Sequence, residues 1–272
     1  MCVLCEKYGN DQGDKWYLNP KRYGYNYGDD VSTESTMLYW LGNWQRIQDV
    51  RENVMTAKNI KYHQIVPIED ALKIADLNVE HSDEPLFDIF PCICATVHAG
   101  ANLHHCMDFG FTSKTMERWV KMTGMPYPPP EQEDIARVNV EKWKETLIET
   151  DKNGYVHHVM LWGVATDNAY IAHICNCKLP YCSPLRGRDS FGQTDTYLKS
   201  HYIADLNALE CNGCGRCAAY CQFGAIRVDH NLKTAYIDPR LCSGCGVCRV
   251  RCKPDAITLV DRGRVPIARH LW

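Results

Sequence analysis

Sixteen cysteines stand in a chain of 272 residues, and eight of them fall into two copies of one spacing. Cys211-x2-Cys214-x2-Cys217-x3-Cys221 recurs as Cys242-x2-Cys245-x2-Cys248-x3-Cys252. Three thiolates spaced this way on a tight loop can hold three corners of an iron–sulfur cube, and the fourth, set further back, points toward a second cube. Movement of single electrons is the chemistry such a set performs. Zinc knuckles also use CxxC, but four cysteines per motif in two register-matched copies exceed what tetrahedral zinc needs.

Around these motifs, Cys211, Gly213, Gly215, Cys221, Ala225 and Ile226 return 31 residues later as Cys242, Gly244, Gly246, Cys252, Ala256 and Ile257. The final seventy or so residues resemble bacterial ferredoxins that carry two [4Fe-4S] clusters. That resemblance implies one cluster on Cys211, Cys214, Cys217 and Cys252 and another on Cys242, Cys245, Cys248 and Cys221. Crossed ligands would make metal binding part of folding, because neither cube is complete until the motifs fold together. The chain departs from the ferredoxin pattern after each fourth cysteine. Gln222 and Lys253 stand where the family usually has proline, with Pro254 one place late. An added N–H donor, with positive charge from Arg216, Arg249, Arg251 and Lys253, is expected to raise the reduction potentials.

A third group lies upstream: Cys92-x-Cys94, Cys106, Cys175-x-Cys177 and Cys182. If the strand ending at Cys94 and the strand ending at Cys177 are neighbours in one sheet, their thiols converge on one metal. The segments Pro91-Cys92-Ile93-Cys94 and Ile174-Cys175-Asn176-Cys177 through Cys182-Ser183-Pro184-Leu185-Arg186 are similar to a cysteine-rich module that precedes ferredoxin domains in uncharacterised proteins of anaerobes. In those proteins the second segment holds more cysteines than here, where Lys178 and Leu179 stand. A third metal centre is expected, [4Fe-4S] ahead of zinc because an electron chain gains from another relay. The alternative is a set of buried, inert thiols. His98, His104, His105, His157, His158 and His173 lie nearby, and the pair preceding Cys106 is the best placed to add a ligand. Cys2-x2-Cys5 is a half-site that cannot by itself complete a tetrahedral centre.

The elements that must position these residues read as an α+β chain. Residues 1–30 form an irregular arm, 31–190 a mixed helix/strand cysteine-rich domain, and 201–272 a small pseudo-twofold ferredoxin-like domain. Met37, Leu38, Trp40, Leu41, Trp44 and Ile47 predict an amphipathic helix running toward Lys58. Shorter helices are expected over 67–77 and 113–122, a rigid proline connection over 126–130, and a longer helix from Glu131 to about Thr150, closed by Asn153-Gly154. Strands are expected over 86–94, 156–162 and 170–174, the last two joined near Asp167-Asn168, with 184–201 as linker.

Composition narrows the function. The net charge is -3, and residues 201–272 hold ten Lys/Arg against six Asp/Glu, a surplus that offsets anionic clusters. No basic run or basic–aromatic stripe supports nucleic-acid binding. Met1 to Glu6 lacks the pattern of a secretory signal, and no apolar stretch could cross a bilayer, so a cytoplasmic protein of an anaerobe is expected. No GxGxxG or GxxxxGK[ST] is present, which leaves nucleotide chemistry to a partner. The reading is an electron-transfer protein or subunit of a hetero-oligomer, working beside a flavin, tungsten, molybdenum or heterodisulfide-type oxidoreductase as in the proteins it resembles. Its rivals are a redox enzyme using the upstream site for substrate chemistry and a redox-sensing interaction module.

Overall fold

The computed structural model describes residues 2–10, 15–23, 63–109, 135–162, 170–191 and 197–272. The helices expected from Met37 toward Lys58 and at 113–122, the proline run and the turn at Asp167-Asn168 lie outside the described residues.

A mixed sheet organises the upstream part. Its strands are β1 (His63–Ile65), β2 (Phe87–Pro91), β3 (His104–Phe109), β4 (Ala136–Val138), β5 (Val156–Trp162), β6 (Tyr170–Cys177) and β7 (Tyr197–Leu198). They lie in the order β4-β2-β3-β6-β5-β1-β7, with β7 parallel to β1 and the other pairs antiparallel. Alternation along the strands sends Phe87, Ile89, Met107, Phe109 and Ile174 to one face. A short helix, α3 (Ile93–Ala99), links β2 to β3 in place of the strand expected to reach Cys94, and two longer helices cover that face. In α2 (Ile68–His81) Ala71, Ile74, Ala75 and Asn78 are the buried stripe, and Glu69 and Asp70 suit the positive first turn. In α4 (Val140–Lys152) Asn139 caps the start by accepting from the Lys142 N–H, and Trp143 and Leu147 are buried. Where helix is expected, Ala136–Val138 instead form β4, paired with β2, and helix begins only after the Asn139 cap; Glu131 lies outside the described residues.

The N-terminal arm is packed against this core. Helix α1 (Val3–Tyr8) leads to tight turns at Trp16–Leu18 and Pro20–Arg22, and Trp16, Tyr17 and Tyr23 are fully buried. Asp70 of α2 ties the arm down, accepting from Lys15 Nζ at 2.6 Å and from the Tyr17 hydroxyl at 2.7 Å.

Two expectations are corrected. The strands ending near Cys94 and Cys177 are not neighbours, because β3, unforeseen from the sequence, pairs with both β2 and β6. The presumed linker is not loose chain. Ser183–Phe191 forms α5, and Tyr197–Leu198 adds to the sheet because Leu185 and Tyr197 have apolar surface to bury.

In the C-terminal part, the first cysteine loop leads to α6 (Arg216–Tyr220) and β9 (Ile226–Asp229), and the second to α7 (Val247–Val250) and β11 (Ile257–Asp261). These elements recur at the 31-residue interval of the sequence repeat. β9 pairs with β10 (Thr234–Ile237), and β11 pairs with β8 (Tyr202–Leu206), both antiparallel. Gly244, at φ +71°, shows why a side chain is excluded in the loops: a Cβ there would stand 2.0 Å from the Tyr202 carbonyl oxygen.

Candidate metal centres

Each cysteine loop in the C-terminal part lies against the last cysteine of the other. Cys242, Cys245, Cys248 and Cys221 line one hollow, of about 340 Å³ counting space open to solvent, with Ala204, Phe223, Ile226 and Val247. Cys211, Cys214, Cys217 and Cys252 line a second, of about 290 Å³ on the same count, with Leu206, Ala235 and Ile257. Backbone N–H groups donate to sulfur at matching places: Ala225 to Cys221 and Ala256 to Cys252, each at 3.3 Å, and Ala204 to Cys242 at 3.4 Å. Such bonds favour a more negative, reduced centre.

The hollows differ in exposure. Burial pushes the Cys245 thiol well up and Cys248 up to about 12. Burial also raises Cys211, but N–H groups of Gly213 and Ala235 with the Thr234 hydroxyl more than offset it, so the net shift there is down. Cys214 is exposed.

The residues present fit iron–sulfur groups on two counts. Four sulfurs meet in each apolar hollow, and buried thiols that resist ionisation alone become thiolates beside metal. The second count is Arg262. It is fully buried and donates to the carbonyl oxygens of Ser200 at 2.7 Å, Tyr202 at 2.9 Å and Cys242 at 3.0 Å. Among the described residues no carboxylate pairs with it, and a buried cation without a counter-charge is costly. An anionic group held by Cys242 and its neighbours would supply that charge.

The six upstream cysteines come together on the sheet face opposite α2 and α4. Phe90, Cys106, Cys175 and His158 occupy one cross-strand row. Thiol contacts then run from Cys94 to Cys92, to Cys106, to Cys175, to Cys177 and to Cys182. The unforeseen β3 therefore bridges the two groups through Cys106. Hydrogen bonds from the thiols of Cys175 and Cys92 draw Cys106 down to about 6, whereas Cys92, facing Cys106, is pushed up to about 12. Cys94 also meets Ser183 at the start of α5.

Among the described residues, the ligating atoms that lie in a group within 4.8 Å of one another belong to Cys2, Cys5 and His201. The six upstream thiols form a string rather than such a knot, and the eight downstream gather as two wider groups of four. Sulfurs around a single zinc, at about 2.3 Å from the metal, would sit closer together.

The histidines near these thiols take different partners. His158 Nε2 lies 3.1 Å from Cys177 Sγ. His105 packs edge-on against Tyr155, His157 bonds Asn176, and His173 bonds Asp108. His158 therefore touches an upstream thiol, and the side chains of His98 and His104 lie outside the described residues.

The string adjoins the first hollow. Cys182 Sγ is 3.4 Å from the Tyr197 hydroxyl, and the Tyr197 ring meets Phe223 edge-on at 6.3 Å between centroids. Phe223 lines the Cys242 hollow. The side-chain amide of Gln222 faces the upstream part, accepting from Leu179 N–H at 2.7 Å and donating to the carbonyls of Gly154 and Cys177. Arg249 pairs with Glu69, Arg251 lies over the Tyr220 ring at 4.2 Å, and Lys178 over Tyr155 at 5.3 Å. Gln222 and Arg249 therefore hold the two parts together. Sequence reasoning missed His201, Tyr197, Phe223 and Arg262. No motif announces them, since their partners lie far away in the chain.

Residues 210–256 match the family of 4Fe-4S dicluster domains. No curated protein and no solved structure matches the chain. The match supports an iron–sulfur electron-transfer role. Among the described residues, no helix is long and apolar enough to cross a membrane.

Proposed function

We propose that the chain is an electron-transfer subunit with three metal centres in line. Cys242, Cys245, Cys248 and Cys221 hold one [4Fe-4S] cluster, and Cys211, Cys214, Cys217 and Cys252 hold the other, in two units related by pseudo-twofold symmetry. Cys92, Cys94, Cys106, Cys175, Cys177 and Cys182 supply the ligands of a third, polynuclear iron–sulfur centre. The observation that carries the reading is the continuity from the six-thiol string through Tyr197 and Phe223 to the buried Cys242 hollow. From there the path reaches the Cys211 hollow, where exposed Cys214 marks the side open to a redox partner.

The protein's own residues have distinct tasks in this arrangement. The cysteines bind; the backbone N–H groups of Ala204, Ala225 and Ala256 and the charge of Arg262 favour uptake of an electron. Phe223, Val247 and Ile226 exclude water, and Gln222 with Arg249 keeps the parts docked so that spacing is constant. The partner is a larger oxidoreductase of the flavin, tungsten, molybdenum or heterodisulfide type in an anaerobic cytoplasm, and the chain itself turns over no substrate.

Anaerobic purification with iron and sulfide analysis tests this. Two clusters account for about eight irons, and a further cluster brings the total to about twelve. Cys106→Ser should remove the upstream irons and leave the paramagnetic signals of the two downstream clusters after dithionite. Colourless protein, or an iron content no higher in wild type than in Cys106→Ser, would overturn the three-centre reading.

A further inference from the structure

A second kind of metal site lies where the N-terminal arm meets the strand entering the C-terminal part. Cys2 precedes α1 and is buried, with 4 % of its surface exposed, and Cys5 lies one turn on. The third member comes from a distant part of the chain: His201 Nε2 is 2.9 Å from Cys5 Sγ, although the two stand 196 positions apart. We propose that Cys2, Cys5 and His201 bind one zinc-class divalent cation, leaving the fourth coordination position to solvent or an exogenous ligand.

The surroundings prepare these groups for a cation. The Tyr17 hydroxyl donates to Asp70 at 2.7 Å, so its oxygen is free to accept from His201 Nδ1, 3.2 Å away. A proton on Nδ1 leaves Nε2 bare, with its lone pair toward Cys5. Asp70 is held in place by Lys15 Nζ, which donates to it at 2.6 Å. An outer group that orients a histidine and selects its tautomer is the usual companion of a metal ligand. The Trp16 N–H donates to Cys5 Sγ at 3.5 Å, and the Trp272 ring shields His201 at 5.0 Å between centroids. The three ligating atoms lie within 4.8 Å of one another, the closeness a single ion requires and the cluster cysteines lack. Two thiolates and an imidazole form a donor set for zinc, and three protein ligands characterise sites that keep an open position. None of these residues belongs to the proposed iron–sulfur sets, so zinc and iron report on the two proposals separately.

The test uses the full chain, purified anaerobically, equilibrated with zinc sulfate and freed of loose metal. We expect one zinc per chain, with an absorption-edge spectrum showing two sulfurs and one imidazole nitrogen plus one light atom. Cys5→Ala and His201→Ala should lose that zinc with iron per chain unchanged. Tyr17→Phe should still saturate with one zinc, but bind it about 10- to 100-fold more weakly against a competing chelator. No retained zinc in wild type with full iron, an all-sulfur shell, or a Cys2–Cys5 disulfide in the anaerobic protein would overturn the proposal. If the variants do not accumulate folded, the wild-type stoichiometry and shell composition decide by themselves.

Discussion

Replacing Arg262 with methionine removes a buried positive charge while keeping a side chain of comparable length. The guanidinium reaches the Cys242 carbonyl at 3.0 Å and so stands at the wall of the Cys242 hollow. Taking roughly 8 Å from the charge to the cluster centre and an effective dielectric of about 20, the interaction with one added electron is about 2 kcal/mol, or about 85 mV for a one-electron couple. Arg262→Met should therefore lower the midpoint of the cluster on Cys242, Cys245, Cys248 and Cys221 by about that amount, and the other cluster by less. Arg262→Lys keeps the charge but loses part of the carbonyl bonding, so it should lower stability by about 1–3 kcal/mol while moving the midpoint by under about 30 mV. The assay is a dithionite titration followed by electron paramagnetic resonance on protein with full iron content. Midpoints unchanged in Arg262→Met, or shifted equally in both variants, would refute the assignment of Arg262 as the cluster's counter-charge.

Further outcomes follow from other residues. Gly244→Ala, forced against the Tyr202 carbonyl, should cost the C-terminal part its iron, whereas Gly224→Ala, with φ +63° but nothing within 4 Å of a new Cβ, should retain iron and lose only about 1–2 kcal/mol in thermal or denaturant unfolding. Gln222→Pro restores the residue usual in ferredoxins but breaks the bonds to Leu179 and Cys177. It should leave both midpoints within about 30 mV of wild type and speed amide exchange over 175–182 by loosening the docking. Burial pushes His63 down to about 3, and its Nδ1 has no partner among the described residues. Because the unfolded chain protonates first, near 6.5, the stability this histidine contributes is complete above that pH. It is lost as pH falls toward 3, by up to about 1.4 kcal/mol per pH unit. His63→Phe should flatten that slope between pH 6 and 5 in denaturant unfolding, and an unchanged slope would show that His63 does not titrate with folding.

The cysteine spacing was enough to declare the downstream chemistry, because ligands a few residues apart on a glycine-bearing loop are local features that need little tertiary help. The existence of α2 and α4, with Ile74, Trp143 and Leu147 on their buried faces, and the extent of β5 were legible for the same reason: their periodicity reflects a single buried face. Sequence spacing could not assemble the upstream string. Its two groups were placed on adjacent strands, and only the insertion of β3, a pairing made across the sheet, brought Cys106 between them. At Gln222 and Arg249 the sequence marks an added N–H and an added charge near the clusters, and only the packing of the two parts gives their side chains Leu179 and Glu69 as partners. Arg262 and His201 carry no local signal at all. A buried charge is informative only once its surroundings are known, and a histidine becomes a ligand candidate only when the chain returns it to Cys2 and Cys5. Local pattern therefore determined which chemistry the chain can perform, and tertiary contact decided which distant groups share a site.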